Sequence, residues 1–97
     1  MSKPLTIVAR IKAKPGREDA LAAELIKLVA PTLVEAGCLQ YDFHRDLEDP
    51  ANFLFFENWA TKDQWLAHME SPQLKVYRAA ADDLVDEFEL FQMEKVD

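Results

Sequence analysis

Glycine is scarce in this chain, with only Gly16 and Gly37 among 97 residues. A phosphate-cradling loop needs several glycines close together, so neither a P-loop nor the dinucleotide fingerprint can be built. Cysteine occurs once, at Cys38, which excludes an intrachain disulfide and a cysteine metal cluster. The two histidines, His44 and His68, give no metal-ligand spacing with that cysteine. No serine sits in a nucleophile elbow. Apolar runs long enough to span a bilayer are missing too. Positive charge is in deficit, with 11 Lys and Arg against 18 Asp and Glu and a net charge of -7. An acidic surface repels phosphate backbones and anionic lipid, so neither nucleic acid nor membrane is expected as a partner. The opening Met1-Ser2-Lys3-Pro4-Leu5 carries no signal-peptide core, and the expected location is the cytoplasm. For an enzyme with no flavin, nucleotide or metal motif, what remains is acid-base chemistry on a bound organic molecule.

What is present is globular: 49% hydrophobic and 30% charged residues. The length suits a single domain over 1–97. So small a domain buries a modest share of its surface, and oligomerisation is an economical way to bury more.

Leu5 to Ala13 alternates apolar and polar residues, which predicts a half-buried strand ended by the turn Lys14-Pro15-Gly16. A helix is expected from Arg17 to Ala36, with Glu18 and Asp19 in its first turn and Gly37 as C-terminal cap. Pro31 removes a hydrogen bond to the Lys27 carbonyl, so a kink or break is expected there. Leu39, Tyr41 and Phe43 alternate with Gln40, Asp42 and His44 in a second strand. The stretch from Asp46 to Asn52 reads as a loop. Phe53 to Trp59 is a third strand, apolar on both faces until Glu57. Thr61-Lys62-Asp63-Gln64 is a capping box that starts a short helix. Ser71-Pro72 starts another, expected to reach Glu87, and Phe88 to Val96 reads as the last strand.

This order is β-α-β-β-α-β, the ferredoxin-like α+β arrangement, with a four-stranded antiparallel sheet and its helices on one face. Helices on one side cannot cover a strand that is apolar on both. A second copy is the simplest cover, giving a homodimeric α+β barrel of sheet on sheet.

Several side chains suit acid-base work. His68 sits at the edge of an apolar helical stripe formed by Trp65, Leu66 and Met69, where it points either into a pocket mouth or into water. Neutral imidazole is a suitable base. Glu57 shares a strand face with Trp59, and a carboxylate beside an indole and phenylalanines has reason to hold its proton; a strand-end glutamate reaching solvent is the plainer reading. Tyr41 shares a face with Leu39 and Phe43 and serves either as a phenol donor or as core. Tyr77, spaced with Leu74, Ala81 and Leu84, reads as core or pocket wall. Arg78 and His44 read as surface residues.

The same residues carry a family resemblance. Lys14-Pro15-Gly16 ends the first strand, Gly37-Cys38-Leu39-Gln40-Tyr41 opens the second, Glu57-Asn58-Trp59 closes the third, and Ala67-His68-Met69 lies in the following helix. In that order they resemble the antibiotic biosynthesis monooxygenase domain over nearly the whole chain. The resemblance implies a dimeric barrel with one apolar pocket per subunit and oxygenation of quinols or polycyclic phenols by dioxygen without metal, flavin or nicotinamide. It implies His68 as general base, Glu57 as its polar partner or an alternative base and Tyr41 as hydrogen-bond donor. Trp59, Phe43, Phe55, Trp65, Leu66, Met69 and Tyr77 are then expected around the pocket. Haem-degrading members place an asparagine and an iron-binding histidine where this chain has Ala9 and Arg78, which argues against haem. An isomerase of a small oxygenated metabolite and a non-catalytic ligand-binding dimer stay open.

Overall fold

The computed structural model describes residues 3–97. Met1 and Ser2, part of the segment expected to lack a signal-peptide core, lie outside the described residues. The elements run β1 (Leu5–Ala13), α1 (Glu18–Ile26), α2 (Val29–Leu33), β2 (Cys38–Arg45), β3 (Asn52–Trp59), α3 (Lys62–Met69), α4 (Pro72–Ala81) and β4 (Val85–Met93). The four strands form one antiparallel sheet in the order β2-β3-β1-β4, the ferredoxin-like topology that the element order predicts. No helix among the described residues is long and apolar enough to cross a membrane.

Alternation along β1 decides which face is inside. Ile7, Ala9, Ile11 and Ala13 are buried, and Thr6, Val8, Arg10 and Lys12 point the other way. Register carries that choice across the sheet, pairing Ala9 with Phe55 and Leu90, and Ile7 with Glu57. Phe53, Phe55, Glu57 and Trp59 therefore face the helices together. Leu21 and Leu25 of α1 are fully buried against them, each contributing about 1.5–3 kcal/mol by leaving water.

Three boundaries differ from the sequence reading. The predicted helix over 17–36 is two helices, and it breaks at Lys27 and Leu28, before Pro31. The Leu28 amide bonds back only three residues, to the Leu25 carbonyl at 3.1 Å. Pro31 then falls in the first turn of α2, where a missing amide costs nothing. The last helix ends at Ala81, short of Glu87, because β1 captures the chain behind it. The Lys14 amide donates to the Leu84 carbonyl at 2.9 Å and Ala13 pairs with Val85, so β4 starts three residues earlier than expected and ends at Met93. In β2 the register shifts between Cys38 and Gln40, and this bulge leaves Leu39 58% exposed, off the face that Tyr41 and Phe43 share.

The local signals that do hold have visible mechanisms. The Thr61 hydroxyl accepts from the Gln64 amide at 3.2 Å and caps α3. Gly37 takes φ of +83°, and a Cβ there would run into the Gln64 side chain, so the turn into β2 requires glycine on both counts. The face of the sheet away from the helices carries Val8, Leu54, Phe56, Phe91 and Met93, with Phe91 42% and Met93 46% exposed.

Candidate active site

A cavity of about 360 Å³ lies between the sheet and the helices. Its floor is Ala9, Ile11, Phe55, Glu57 and Leu90 from three strands. Its walls are Leu25 and Leu28, then Trp65, His68 and Met69 of α3, and Leu74 and Tyr77 of α4. The exposed residues Arg78, Asp82 and Phe88 mark the open end. The size suits a small organic molecule, and so does the chemistry, a largely apolar lining with a few converging polar groups.

Helix α3 brings His68 inward, not to the edge of a stripe. Trp65, His68 and Met69 share the inner face at spacings of three and four, and Leu66 is 46% exposed on the outside. Leu66 is therefore no part of the pocket. The His68 ring is buried at 2% exposure, tilted against Trp59 with ring centres 4.7 Å apart and edge-on to Tyr41 at 5.6 Å. Trp59 and Phe43 do not line the cavity. Trp59 is completely buried behind His68, and Phe43 stacks on Phe53 and Phe55 beyond the floor. Phe55, Trp65, Met69 and Tyr77 do line it.

The partner of His68 is Glu35, not Glu57. The Glu35 Oε1 lies 2.9 Å from His68 Nδ1. Gln73 Nε2 donates to the same carboxylate oxygen and also to the Thr32 hydroxyl at 3.3 Å. Glu57 instead accepts from the Trp59 indole Nε1 at 2.9 Å. Glu35, Gln73 and Thr32 were not among the expected site residues, yet one signal for Glu35 exists. In the predicted helix it falls in the last turn, where a carboxylate opposes the helix dipole, and such a cost asks for a compensating partner.

Burial sets the protonation of the polar groups. Desolvation, only partly offset by the Trp59 hydrogen bond, pushes the Glu57 carboxyl up from 4.5 to about 7, and the Glu35 charge adds to it. Burial, then the Glu57 charge, raises the Tyr41 phenol above its ordinary range, with Thr32 acting the other way. Burial alone pushes Tyr77 up to about 12. Both phenols are thus donors at neutral pH. The Arg78 guanidinium is tied at 2.7 Å to the Met69 carbonyl. The described residues contain no cluster of three or more His, Cys, Asp or Glu placed to hold a metal ion. At the two positions where the haem-degrading pattern calls for an asparagine and an iron-binding histidine, Ala9 is buried floor and Arg78 stands at the mouth.

The model of one family, antibiotic biosynthesis monooxygenase, matches residues 4–80. The chain belongs to the antibiotic biosynthesis monooxygenase family. Among proteins of similar sequence, "Putative monooxygenase Rv0793" of Mycobacterium tuberculosis is 31% identical over 85 residues, covering 88% of this chain and 83% of that protein. "Probable quinol monooxygenase YgiN" of Escherichia coli K12 is 28% identical over 86 residues, covering 78% and 83%. A Synechocystis protein, sll1783, is 28% identical over 82 residues, and the chain spans 56% of that longer relative. The crystal structure of PA3566 from Pseudomonas aeruginosa superposes with a TM-score of 0.96 at 36% identity, covering 100% of this chain and 98% of that one.

Proposed function

We propose that this protein is a monooxygenase that inserts one oxygen atom of dioxygen into a quinol-like or polycyclic phenol, with the substrate itself as reductant. The observation that carries this reading is that one apolar cavity has the His68 imidazole on its wall and the buried Glu57 carboxyl, with its raised pKa, on its floor. His68 takes the phenolic proton. The electron-rich phenolate passes an electron to dioxygen, and the resulting radical pair joins to form a carbon–oxygen bond. The adduct is a peroxide anion on a ring carbon that still bears hydrogen, and His68 returns its proton to make the hydroperoxide. Glu57, whose carboxyl burial raises to about 7, delivers a proton to the distal oxygen. Water leaves, the ring carbon loses its hydrogen as a proton to the Glu57 carboxylate, and a carbonyl remains. One dioxygen is consumed, one oxygen atom enters the product, and the other leaves as water. The two phenols, Tyr41 and Tyr77, donate hydrogen bonds to substrate oxygens. The name of the Escherichia coli relative supports the quinol class.

The test is oxygen uptake over a panel of quinols and polycyclic phenols with protein purified in chelator and no added cofactor. With ¹⁸O₂, one labelled oxygen in the product and one in water for each dioxygen consumed supports the reading. Activity that appears only on adding flavin, iron or haem overturns it.

The partner we propose is a second copy on the outer face of the sheet. Phe56 sits there between Val8 and Asp42, with Phe91 beyond Val8. Light scattering at micromolar concentration is expected to give twice the chain mass. Phe56→Glu should give the monomer mass, because a carboxylate would be buried unpaired between two sheets. A wild-type monomer removes the barrel.

A further inference from the structure

A histidine works as a base only if the correct nitrogen faces the substrate with its lone pair free. In a neutral imidazole one nitrogen carries the proton and the other does not. Three contacts bear on which is which for His68. The Trp59 and Tyr41 rings hold the plane of the imidazole. Glu35 Oε1 stands 2.9 Å from Nδ1, and a carboxylate only accepts, so Nδ1 must be the nitrogen that carries hydrogen. Gln73, from α4, donates its amide hydrogen to the same oxygen and so keeps the Glu35 side chain in place. Glu35 itself lies outside the cavity lining, and His68 lies within it. The free lone pair is then on Nε2, across the ring from Glu35.

We propose that Glu35, held by Gln73, is the positioning residue of the site, fixing His68 as the Nδ1–H tautomer with Nε2 free toward the cavity. This rests on the reading of His68 as the proton acceptor. The arrangement spans three elements, with Glu35 just past the end of α2, His68 on α3 and Gln73 on α4. Its role is orientation of a base rather than contact with substrate.

The experiment reads the tautomer directly in ¹⁵N-labelled protein by long-range ¹H–¹⁵N correlation at about pH 8, above the ordinary histidine range of about 6.5. The chain has two histidines, His44 and His68, so a His68→Phe spectrum assigns both. Wild-type His68 is expected to show a protonated Nδ1 and a pyridine-like Nε2. Glu35→Leu should move the ring toward the Nε2–H form that an unconstrained neutral histidine side chain prefers. It should also lower kcat on the order of 10-fold or more with little change in KM, since substrate contacts are untouched. Glu35→Gln, which keeps an acceptor oxygen, should retain the wild-type tautomer and recover most of the turnover. Should Glu35→Leu fail to fold, Gln73→Leu reads the same anchor and should give a mixture of tautomers. An Nε2–H tautomer in the wild type, or a spectrum unmoved by both leucine variants, overturns the proposal. The tautomer needs no substrate, so an absent oxygenase activity with the expected spectra would remove the functional reading and leave the positioning role standing.

Discussion

Replacing His68 by phenylalanine is expected to lower kcat on the order of 10²-fold or more, with a stability cost of about 1–3 kcal/mol. Phenylalanine keeps the ring packing against Trp59 and Tyr41 and removes both nitrogens. Alanine is the worse probe. His68 is buried at 2% exposure, so truncation would open a hole beside the cavity and strip Glu35 of a partner at the same time. His68→Ala does allow a second measurement, because free imidazole can enter that hole from the open cavity. Recovery of turnover with added imidazole, at unchanged melting temperature, separates a lost base from a loosened fold. Near-normal turnover in His68→Phe would make the residue structural, and Glu57 would become the leading base.

Glu57→Gln is expected to change how stability depends on pH. In the folded chain the carboxyl is raised to about 7 from an ordinary 4.5. Below pH 4.5 both folded and unfolded chains hold the proton, and the fold suffers no penalty. Between 4.5 and 7 the unfolded chain releases the proton while the folded one keeps it, so stability falls as pH rises. The loss levels off above about pH 7 and amounts to about 3 kcal/mol by the conversion of 1.36 kcal/mol per pKa unit. Glutamine holds no such proton, yet retains an oxygen to accept from the Trp59 indole. Denaturant titrations at fixed protein concentration should therefore show a wild-type stability that declines from pH 4.5 to 7, and a Glu57→Gln variant without that component. At pH 8 the variant should be the more stable protein and, lacking the proton donor, the slower enzyme. Parallel pH profiles for the two proteins would mean that Glu57 does not titrate in this window.

Much of the fold is written in short-range pattern. The near-regular alternation of Leu5 to Ala13, broken only by Val8, has one solution that buries Ile7, Ala9 and Ile11 together, and that solution is a strand. Thr61 followed by Gln64 marks the start of α3 from local sequence, because the capping bond closes within four residues. Tyr41, Glu57 and His68 could be singled out because polar groups at apolar positions are conspicuous without coordinates. The tertiary structure decided what local pattern leaves open. A helix over 17–36 is locally acceptable, and it breaks at Lys27 and Leu28, ahead of Pro31. A helix to Glu87 is acceptable too, until the β1 backbone offers Lys14 and Ala13 as partners for Leu84 and Val85. Leu66 and His68 share an apolar neighbourhood in sequence, and only the docking of α3 on the sheet shows that one faces out and the other in. The bond between His68 and Glu35 joins residues 33 apart on separate elements. Periodicity says which side of an element is buried. It does not say which two buried sides meet, because that is set by the packing of whole elements against one sheet.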